Sequence, residues 1–296
     1  MSGKLKEVRI RIGSVTSTQQ ITKAMKMVSA AKLRRAQDAI LKMRPYAIKM
    51  TAILKNLAEA TEGDVSIELA NERTVKKVLM VIITSDRGLC GGFNSNVVKA
   101  VKAQIAEKYS ALAAQGKVDI LTVGKKGYDG FKNLEYDINS EYVDLFGRLS
   151  FEASTEVSDH LKKVFLSGEY DQIDVAFNSF KNAATQELTV DRFLPIVKPA
   201  PSKGDSTSKA NFLFEPDMET MVEELVPRIL NTQFYRYLLD SNAAEHGARM
   251  TAMDQATENA NDILKELKVT YNRARQAAIT TELTEIVSGA AALSQS

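Results

Sequence analysis

Residues that form covalent or metal cross-links are nearly absent from this sequence of 296 residues. It contains one cysteine, Cys90, and two histidines, His160 and His246. A single cysteine excludes an intrachain disulfide and a multi-cysteine metal site, and it favours a reducing compartment. The two histidines are too isolated in the sequence to predict a metal site or a catalytic triad. Each is expected to be a surface or packing residue.

Long apolar runs and targeting segments are also missing. No apolar run approaches the ~20 residues that a membrane-spanning helix requires. The first residues, MSGKLKEVR, contain neither the apolar core of a signal peptide nor a leader rich in serine and arginine. We therefore expect a soluble, cytoplasmic chain with no direct membrane span, which could still be peripheral to a membrane.

Acidic residues are scarce at the beginning of the chain. The whole sequence has a net charge of +2, but residues 1–50 contain twelve Lys and Arg against only Glu7 and Asp38, a local charge of +10. The remaining residues must then carry about −8. A basic segment of this kind predicts an acidic partner, which could be nucleic acid, a lipid surface or an acidic protein.

Proline is absent from the last third of the chain, between Arg228 and Ala292. Small and apolar residues recur there every three or four positions, at Ala252, Ala256, Ala260, Ile263, Leu267, Tyr271, Ala274 and Ala278. This spacing predicts one face of a long helix. Roughly 60 helical residues would span about 90 Å, and a helix of that length needs a packing partner.

The beginning of the chain predicts that partner. Apolar residues follow an a/d spacing from Leu5 to Val15 and again from Leu33 to Leu57. Between these stretches the register positions are polar, at Gln19, Thr22, Lys26 and Ser29. Three apolar residues there lie off register, at Ile21, Met25 and Val28. We therefore expect the seam to drift or to serve a different neighbour. Two long seams at opposite ends of the chain favour an antiparallel coiled coil.

The middle of the chain alternates predicted strands with predicted helices. The strands are expected at Val75–Thr84, Val118–Val123 and Ile173–Phe180, and the helices at Ser95–Leu112, Lys125–Leu134 and Phe151–Leu166. This alternation implies a parallel α/β sheet. Further segments are predicted as a weak strand or loop at Tyr142–Leu145, a final strand near the edge at Glu187–Val197, a linker at Pro199–Ala210 and a terminal helix from Asp217.

The predicted fold class is therefore α/β, with a long antiparallel coiled coil of N- and C-terminal helices and an inserted Rossmann-like α/β domain. The predicted boundaries are residues 1–60 for the N-terminal coiled-coil helix, 75–198 for the α/β globular domain and 211–296 for the C-terminal coiled-coil helix.

One loop invites a catalytic interpretation. Asp86–Asn94 follows a strand, opens a helix and holds three glycines, which is the context of phosphate-binding loops. It matches neither GxGxxG nor GxxxxGK[ST], and it lacks the lysine that would reach a β- or γ-phosphate. We interpret it as a sharp turn that needs positive φ at glycine. Arg87 could activate Cys90, but a small buried thiol is the commoner case. No catalytic, nucleotide-binding or metal site is predicted, and no cofactor.

The segment Asn272–Leu293 carries the more informative signal. It combines charged and polar residues with a nearly uncharged end, Ile286–Leu293. The segment could be a solvated helix with a frayed tail. An apolar helix end would, however, be left in water unless something surrounds it.

Three motifs together carry a resemblance to a known family. ITKAMKMVSAAKLRRAQ near the beginning, SDRGLCGGFN in the middle and ARQAAITTELTEIVSGAAAL at the end resemble the gamma subunit of F-type ATP synthases, in the family's order and across the whole chain. The resemblance implies a rotary central stalk whose paired helices enter a hexamer of alternating alpha and beta subunits. It also implies that the α/β domain lies near the epsilon subunit and the membrane ring, and that ATP is made or hydrolysed on the beta subunits.

The resemblance also implies three groups of partner-binding residues. The first would face acidic loops of the beta subunits: Met25, Lys26, Lys32, Arg34 and Arg35. The second would form a polar catch with beta-subunit loops: Arg275, Gln276, Thr280, Glu282 and Glu285. The third would turn in an apolar sleeve of the hexamer: Ile286, Val287, Ala290, Ala291 and Leu293.

Two other functions remain open at this point. A nucleotide-binding enzyme would use Asp86–Asn94, and a coiled-coil nucleic-acid binder would use the basic segment, although Tyr46 is the only aromatic residue there. The stalk interpretation excludes a nucleic-acid partner. The loops Gly63–Thr74 and Pro199–Ala210 are too short and too poor in cysteine for the redox-regulatory insertion of chloroplast members. We expect a bacterial chain, peripheral at the cytoplasmic face of the plasma membrane.

Overall fold

The computed structural model describes residues 3–60, 68–183, 185–196 and 218–294. Within these ranges it describes all side chains except those of residues 47, 51–60, 218–222 and 291–294. The chain forms two compact units, one of Met1–Ser29 with Met250–Ser296 and one of Ala30–Arg249. The predicted linker Pro199–Ala210 and the predicted helix start at Asp217 lie outside the described residues. Among the residues described, no helix is long and apolar enough to cross a membrane.

The order of the elements follows the predicted alternation closely. The helices are α1 (Gly3–Ala60), α2 (Phe93–Lys108), α3 (Ser110–Ala113), α4 (Lys125–Phe131), α5 (Phe151–Leu166) and α6 (Met218–Ser294). The strands are β1 (Val78–Ile83), β2 (Val118–Val123), β3 (Ile138–Asn139), β4 (Gln172–Phe180) and β5 (Gln186–Leu194). The segment Tyr142–Leu145 is a turn rather than a strand, and it leads into a short 3-10 helix, Leu145–Arg148.

The five strands form one sheet in the order β3-β2-β1-β4-β5. The first four strands in this order are parallel, as expected, but β5 runs antiparallel to β4. The expected parallel sheet is therefore confirmed for those four strands, and the final strand, for which no direction was predicted, is an antiparallel edge strand. Since β4 ends at Phe180 and β5 begins at Gln186, the connection is too short for the crossover of a dozen or more residues that a parallel pair requires.

Both faces of the sheet are covered. One face packs against α5 and the beginning of α6, where the rings of Phe177 and Tyr237 lie 4.3 Å apart. The other face packs against α2 and the end of α4, including Val97, Val101 and Phe131. Every residue of β1 is buried as a result. A strand covered on both faces is expected to be apolar throughout, which explains its sequence VLMVII.

Two buried aspartates lie near the beginnings of the strands, and each accepts a hydrogen bond from a tyrosine. The Tyr109 hydroxyl donates to Asp174 Oδ2 at 2.6 Å, and the Tyr170 hydroxyl donates to Asp119 Oδ2 at 2.8 Å. Lys77 Nζ lies 2.6 Å from the same oxygen of Asp119. Both carboxylates therefore have partners, as a buried charge requires.

In the other unit, the beginning of α1 and the end of α6 form an antiparallel pair. Gln19 is hydrogen-bonded to Asn261, the hydroxyls of Thr22 and Thr257 are 2.8 Å apart, and Lys26 forms an ion pair with Asp254. Residue numbers rise along one helix as they fall along the other, which confirms the antiparallel arrangement. Buried apolar residues complete the pairing, among them Leu5, Val8, Met253, Ala260 and Leu264.

The expected drift of the seam is wrong. Thr22 and Ser29 are buried although they are polar, whereas Ile21 and Val28 are 59% and 56% exposed. The register positions therefore keep facing α6, because α6 supplies polar partners at the matching height. The apolar residues between them lie on the outer surface of the pair.

Candidate functional site: the terminal helices and the glycine loop

The end of α6 presents an exposed polar surface. Arg275, Gln276, Thr280, Glu282 and Glu285 are all exposed. Within the described part of the chain, none of the three charged residues among them forms an ion pair. The Thr280 hydroxyl donates to the carbonyl oxygen of Gln276 at 2.9 Å, so its hydrogen is already used and it can only accept from a partner.

Two of these carboxylates border an open groove of about 700 Å³. Glu282 and Glu285 line it together with Lys4, Arg273 and Thr281. The groove thus combines charges of both signs with a hydroxyl. Such a lining favours a partner surface that offers both donors and acceptors.

The same end of α6 exposes an apolar stripe. Ile279, Leu283, Ile286 and Val287 are 49–67% exposed, and their spacing of three and four positions places them along one side of the helix. Ala290 is exposed as well. Ala291 and Leu293 belong to α6, but their side chains lie outside the described ones. An exposed apolar stripe of this kind is typical of an interaction site.

The predicted residues of α1 divide into two groups. Lys32, Arg34 and Arg35 are exposed, and within the described part of the chain they have no ion-pair partner. Lys26 is different, because it already pairs with Asp254. Met25 is half-buried.

Several exposed apolar residues on these helices are not among the predicted partner-binding residues. They are Ile21, Met27 and Val28 on α1 and Ile279 and Leu283 on α6. The off-register spacing of Ile21 and Val28 was the available signal. It indicated an outward-facing surface rather than a drifting seam.

The glycine loop Asp86–Asn94 is a tight turn between β1 and α2. Gly91 has φ 58°, which confirms the expected positive φ at glycine, but Leu89 also adopts the left-handed region with φ 63°. The Ser85 hydroxyl donates to the carbonyl oxygen of Arg87 at 2.7 Å, and the Ser85 amide donates to Asn94 Oδ1 at 3.0 Å. These bonds close the loop on itself, and Leu89 is left 64% exposed.

Helix α6 binds the glycine loop through the side chain of Arg249. Arg249 donates through Nη2 to the carbonyl oxygen of Arg87 at 3.0 Å, and through Nη2 and Nε to that of Gly88, both at 3.4 Å. Glu245 holds the guanidinium in place with an ion pair of 2.7 Å. Both side chains of this ion pair are 10% exposed, and a buried pair needs such further hydrogen bonds to satisfy its donors.

The titratable groups beside the loop are not poised for catalysis. Burial raises the pKa of the Cys90 thiol, so the thiol is less reactive than a free cysteine. The expectation of a small buried thiol is confirmed. Burial, together with the charges of Arg249 and Lys32, lowers the pKa of His246 to about 4. His246 is thus a neutral packing residue near pH 7, and His160 packs against the Tyr142 ring, with the ring centroids 5.8 Å apart.

Helix α6 fills the place where doubly wound sheets bind ligands. The chain runs from β1 through β2 to β3 and then returns to the other side of β1 with β4, so the order reverses there. Ligands bind at this switch point, outside the carboxyl ends of the strands. Here Ala244 packs against Cys90 and Phe93 of the loop after β1. On the other side, a Cβ added to Gly247 would lie 3.1 Å from the carbonyl oxygen of Ala183, after β4.

This arrangement weighs against the nucleotide-binding alternative. The crevice is filled by side chains of the same chain, with Ala244 beside Cys90 and Phe93 and with Arg249 bonded to the carbonyl oxygens of Arg87 and Gly88. Among the described residues, no group of three or more His, Cys, Asp or Glu is placed to hold a metal ion.

Comparison with known proteins gives the family. The family model described as ATP synthase matches residues 4–293. The chain is 54% identical to the ATP synthase gamma chain of Cytophaga hutchinsonii and 51% identical to that of Flavobacterium johnsoniae, each over 98% of both chains. This chain belongs to the ATP synthase gamma-chain family. It is therefore a central-stalk subunit of an F-type ATP synthase, and a non-catalytic one.

Solved structures share the fold. The rotor chain of the Euglena gracilis mitochondrial ATP synthase matches with a TM-score of 0.66 at 22% identity, over 94% of this chain and 100% of that one. A central-stalk chain of the Tetrahymena thermophila mitochondrial ATP synthase matches with a TM-score of 0.57 at 24% identity, over 80% of this chain and 99% of that one. The predicted fold class is confirmed.

Proposed function

We propose that this chain couples ion flow through a membrane sector to ATP synthesis or hydrolysis by turning inside a hexamer of alternating alpha and beta subunits. The observation that carries the proposal is the end of α6, where unpaired charges and an exposed apolar stripe lie on one helix. A helix end that exposes both charged and apolar residues, with no covering partner among the described residues, is suited to be surrounded by another protein.

The polar residues at the end of α6 are suited to form the polar catch with beta-subunit loops. A rod can bias identical sites only if it contacts their conformations with different free energies. Switching one site between mostly closed and mostly open takes roughly 5 kcal/mol of differential interaction. Hydrogen bonds to charged groups contribute about 1.5–3 kcal/mol each, so two or three of them reach this value. Arg275, Glu282 and Glu285 supply such charges, and Gln276 and Thr280 add neutral contacts.

The apolar residues at the end of α6 are suited to act as a bearing, turning in the apolar sleeve of the hexamer. The side chains of Ile286, Val287 and Ala290 form no hydrogen bonds. Few hydrogen bonds would therefore have to break when the helix rotates in an apolar sleeve. Ala291 and Leu293 extend the same composition along the sequence. The bearing role of all five remains a proposal.

The basic residues of α1 would meet the acidic loops of the beta subunits. Lys32, Arg34 and Arg35 are exposed, and within the described part of the chain no ion-pair partner competes with the beta subunits for them. Lys26 would have to leave Asp254 or share it, so it contributes less. Met25 would add an apolar contact. The epsilon subunit and the membrane ring are the further partners we propose, at the cytoplasmic face of a bacterial plasma membrane.

The test is a tagged pull-down of this chain from detergent-solubilised native membranes. Alpha and beta subunits should co-purify with ATPase activity, and that activity should fall when Arg275→Ala and Gln276→Ala are combined. Lys265→Ala is the matched control, because Lys265 is exposed on the same helix and, among the described residues, its ion pair is with Asp262, three residues away. A chain that purifies without alpha and beta subunits, or equal activity in the double variant and the control, would refute the proposal.

A further inference from the structure

The pair formed by α1 and α6 ends unevenly, because α6 continues past the beginning of α1. The hydrogen bonds and the ion pair between the two helices define their antiparallel register. This register places Gly3, where α1 begins, level with residues 276–278 of α6. Every side chain of residues 279–290 is exposed. The face of α6 that packs on α1 elsewhere is thus left uncovered at the end of α6 by the described part of the chain.

The open groove of about 700 Å³ lies at this point, and both helices line it. Lys4 of α1 and Arg273 of α6 border one end of the groove, and Glu282 and Glu285 border the other. Nine to twelve helical positions separate Arg273 from the two glutamates, which corresponds to about 14–18 Å at 1.5 Å per residue. The groove therefore has a cationic end and an anionic end.

The length of the groove explains why these charges are not paired with one another. An ion pair requires its charged atoms to lie within about 4 Å, and charges about 14 Å apart are screened, since the Debye length is about 8 Å at physiological ionic strength. Among the described residues, none of the four side chains forms an ion pair. The wall between the two ends contains the small side chains of Ala274, Ala277 and Ala278, so a partner backbone can lie close to α6.

The cationic end has no compensating charge on α1. The first turn of this helix contains no acidic residue, although negative charges are the ones that stabilise a helix N-terminus. Lys4 instead adds a positive charge to the positive end of the helix dipole, and Arg273 lines the same groove. This end of the groove is therefore complementary to a carboxylate.

We infer that the groove binds one extended loop of a surrounding subunit. A carboxylate of the loop contacts Lys4 and Arg273, and a basic or amide side chain of the same loop contacts Glu282 or Glu285. An extended chain advances about 3.3 Å per residue, so the two partner side chains should lie about four to six residues apart. Lys4 and Arg273 are then partner-binding residues in addition to those of the polar catch. The inference rests on the proposed function, which supplies the surrounding subunits.

Cross-linking with a carbodiimide tests the cationic end in the complete, purified complex. The reagent activates a carboxylate, and an adjacent lysine amine attacks it to form an amide without a spacer. Peptide mass spectrometry should find Lys4 joined to a carboxylate of an alpha or beta subunit. Lys6 is the matched control, because it is exposed in the same turn of α1 and does not line the groove. The inference is overturned if Lys4 is joined only to its own chain or to nothing, or if Lys6 reacts with other subunits as much as Lys4 does.

Charge reversal tests the same end through activity. Lys4→Glu should lower the ATPase activity of the assembled complex at least about 3-fold, because its carboxylate would repel the carboxylate of the loop. Lys6→Glu and Lys4→Arg should stay within about 1.5-fold, since the first change lies outside the groove and the second keeps the charge. Equal activities of Lys4→Glu and Lys6→Glu in complexes that contain alpha and beta subunits would overturn the inference. A chain that purifies without these subunits would refute the proposed function itself.

Discussion

Replacing Tyr109 by phenylalanine removes one oxygen atom and two hydrogen bonds from a buried part of the sheet. The Tyr109 hydroxyl donates to Asp174 Oδ2 and accepts from Gln172 Nε2, both at 2.6 Å. Asp174 and Gln172 are only 2% and 3% exposed, so water cannot replace the lost partner. The substitution therefore leaves a buried carboxylate with one bond fewer and a buried amide with one acceptor fewer.

The expected loss can be worked out from what remains. Asp174 keeps Gln172 Nε2 on its other oxygen at 2.7 Å, but its nearest lysine, Lys108, stays 3.7 Å away with a side chain 43% exposed. Hydrogen bonds to charged groups contribute about 1.5–3 kcal/mol. We expect Tyr109→Phe to lower the free energy of unfolding by about 2–3 kcal/mol.

Tyr170→Phe is the matched comparison. Its hydroxyl also donates to a buried carboxylate, that of Asp119, but Lys77 Nζ lies 2.6 Å from the same oxygen and compensates part of the loss. We expect about 1–2 kcal/mol, less than for Tyr109→Phe. The order of the two variants follows from the lysine distances and from the hydrogen bond that Tyr109 accepts from Gln172, and it is the sharper part of the prediction.

The assay is urea unfolding of the full chain, followed by circular dichroism. Tyr128→Phe is the control, since this ring is 39% exposed and should change the free energy by no more than about 0.5 kcal/mol. An unchanged slope with denaturant would show that the unfolded state is not altered. The reasoning is refuted if Tyr109→Phe costs no more than Tyr170→Phe, or if both match the control.

Four further outcomes are expected. Burial and the neighbouring carboxylates raise the pKa of Tyr109 and Tyr170, so the unfolded state loses these protons before the folded state does. The free energy of unfolding should therefore fall as the pH rises above about 10, and both Phe variants should reduce this fall in alkaline urea titrations. The pKa of His246 is lowered from 6.5 to about 4, so stability should fall as the pH drops from 6.5 through 4, and His246→Gln should reduce that fall in an acid titration. Gly124→Ala should lower stability by several kcal/mol in thermal unfolding, because φ is +96° and a Cβ would lie 2.1 Å from a backbone oxygen. Gly116→Ala is the comparison: its φ is +65° but the space around it is open, so it should lower stability by only about 1 kcal/mol. A double-mutant cycle on the half-exposed Lys26–Asp254 pair should give less than about 1 kcal/mol and decrease with added salt; a larger, salt-independent coupling would contradict its exposure.

The sheet was predictable where burial dictates composition. β1 and β2 lie between two layers of helices, so their residues are all buried. The sequence of β1 is accordingly a continuous apolar run, and that of β2 is apolar except for Asp119 and Thr122. The direction of β5 was harder to predict, because its half-buried pattern reflects an edge position and does not distinguish parallel from antiparallel pairing. The length of the connection after Phe180 decides it.

The glycine loop shows a second limit. Its glycines correctly predicted a turn, but the sequence around it does not show that the loop binds α6 through Arg249, which is 161 residues away from Gly88. Local motifs identify a conformation. Contacts between distant segments depend on the arrangement of the whole unit.

The seam between α1 and α6 explains why polar register positions misled the prediction. An a/d position is expected to be apolar because it faces a partner helix. Thr22 and Lys26 instead face Thr257 and Asp254, which match them in polarity. A polar layer of this kind fixes the register at a cost in stability, since a slip by one heptad would oppose Thr22 to Leu264 instead of Thr257. The off-register apolar residues, such as Ile21, lie on the outer surface of the pair.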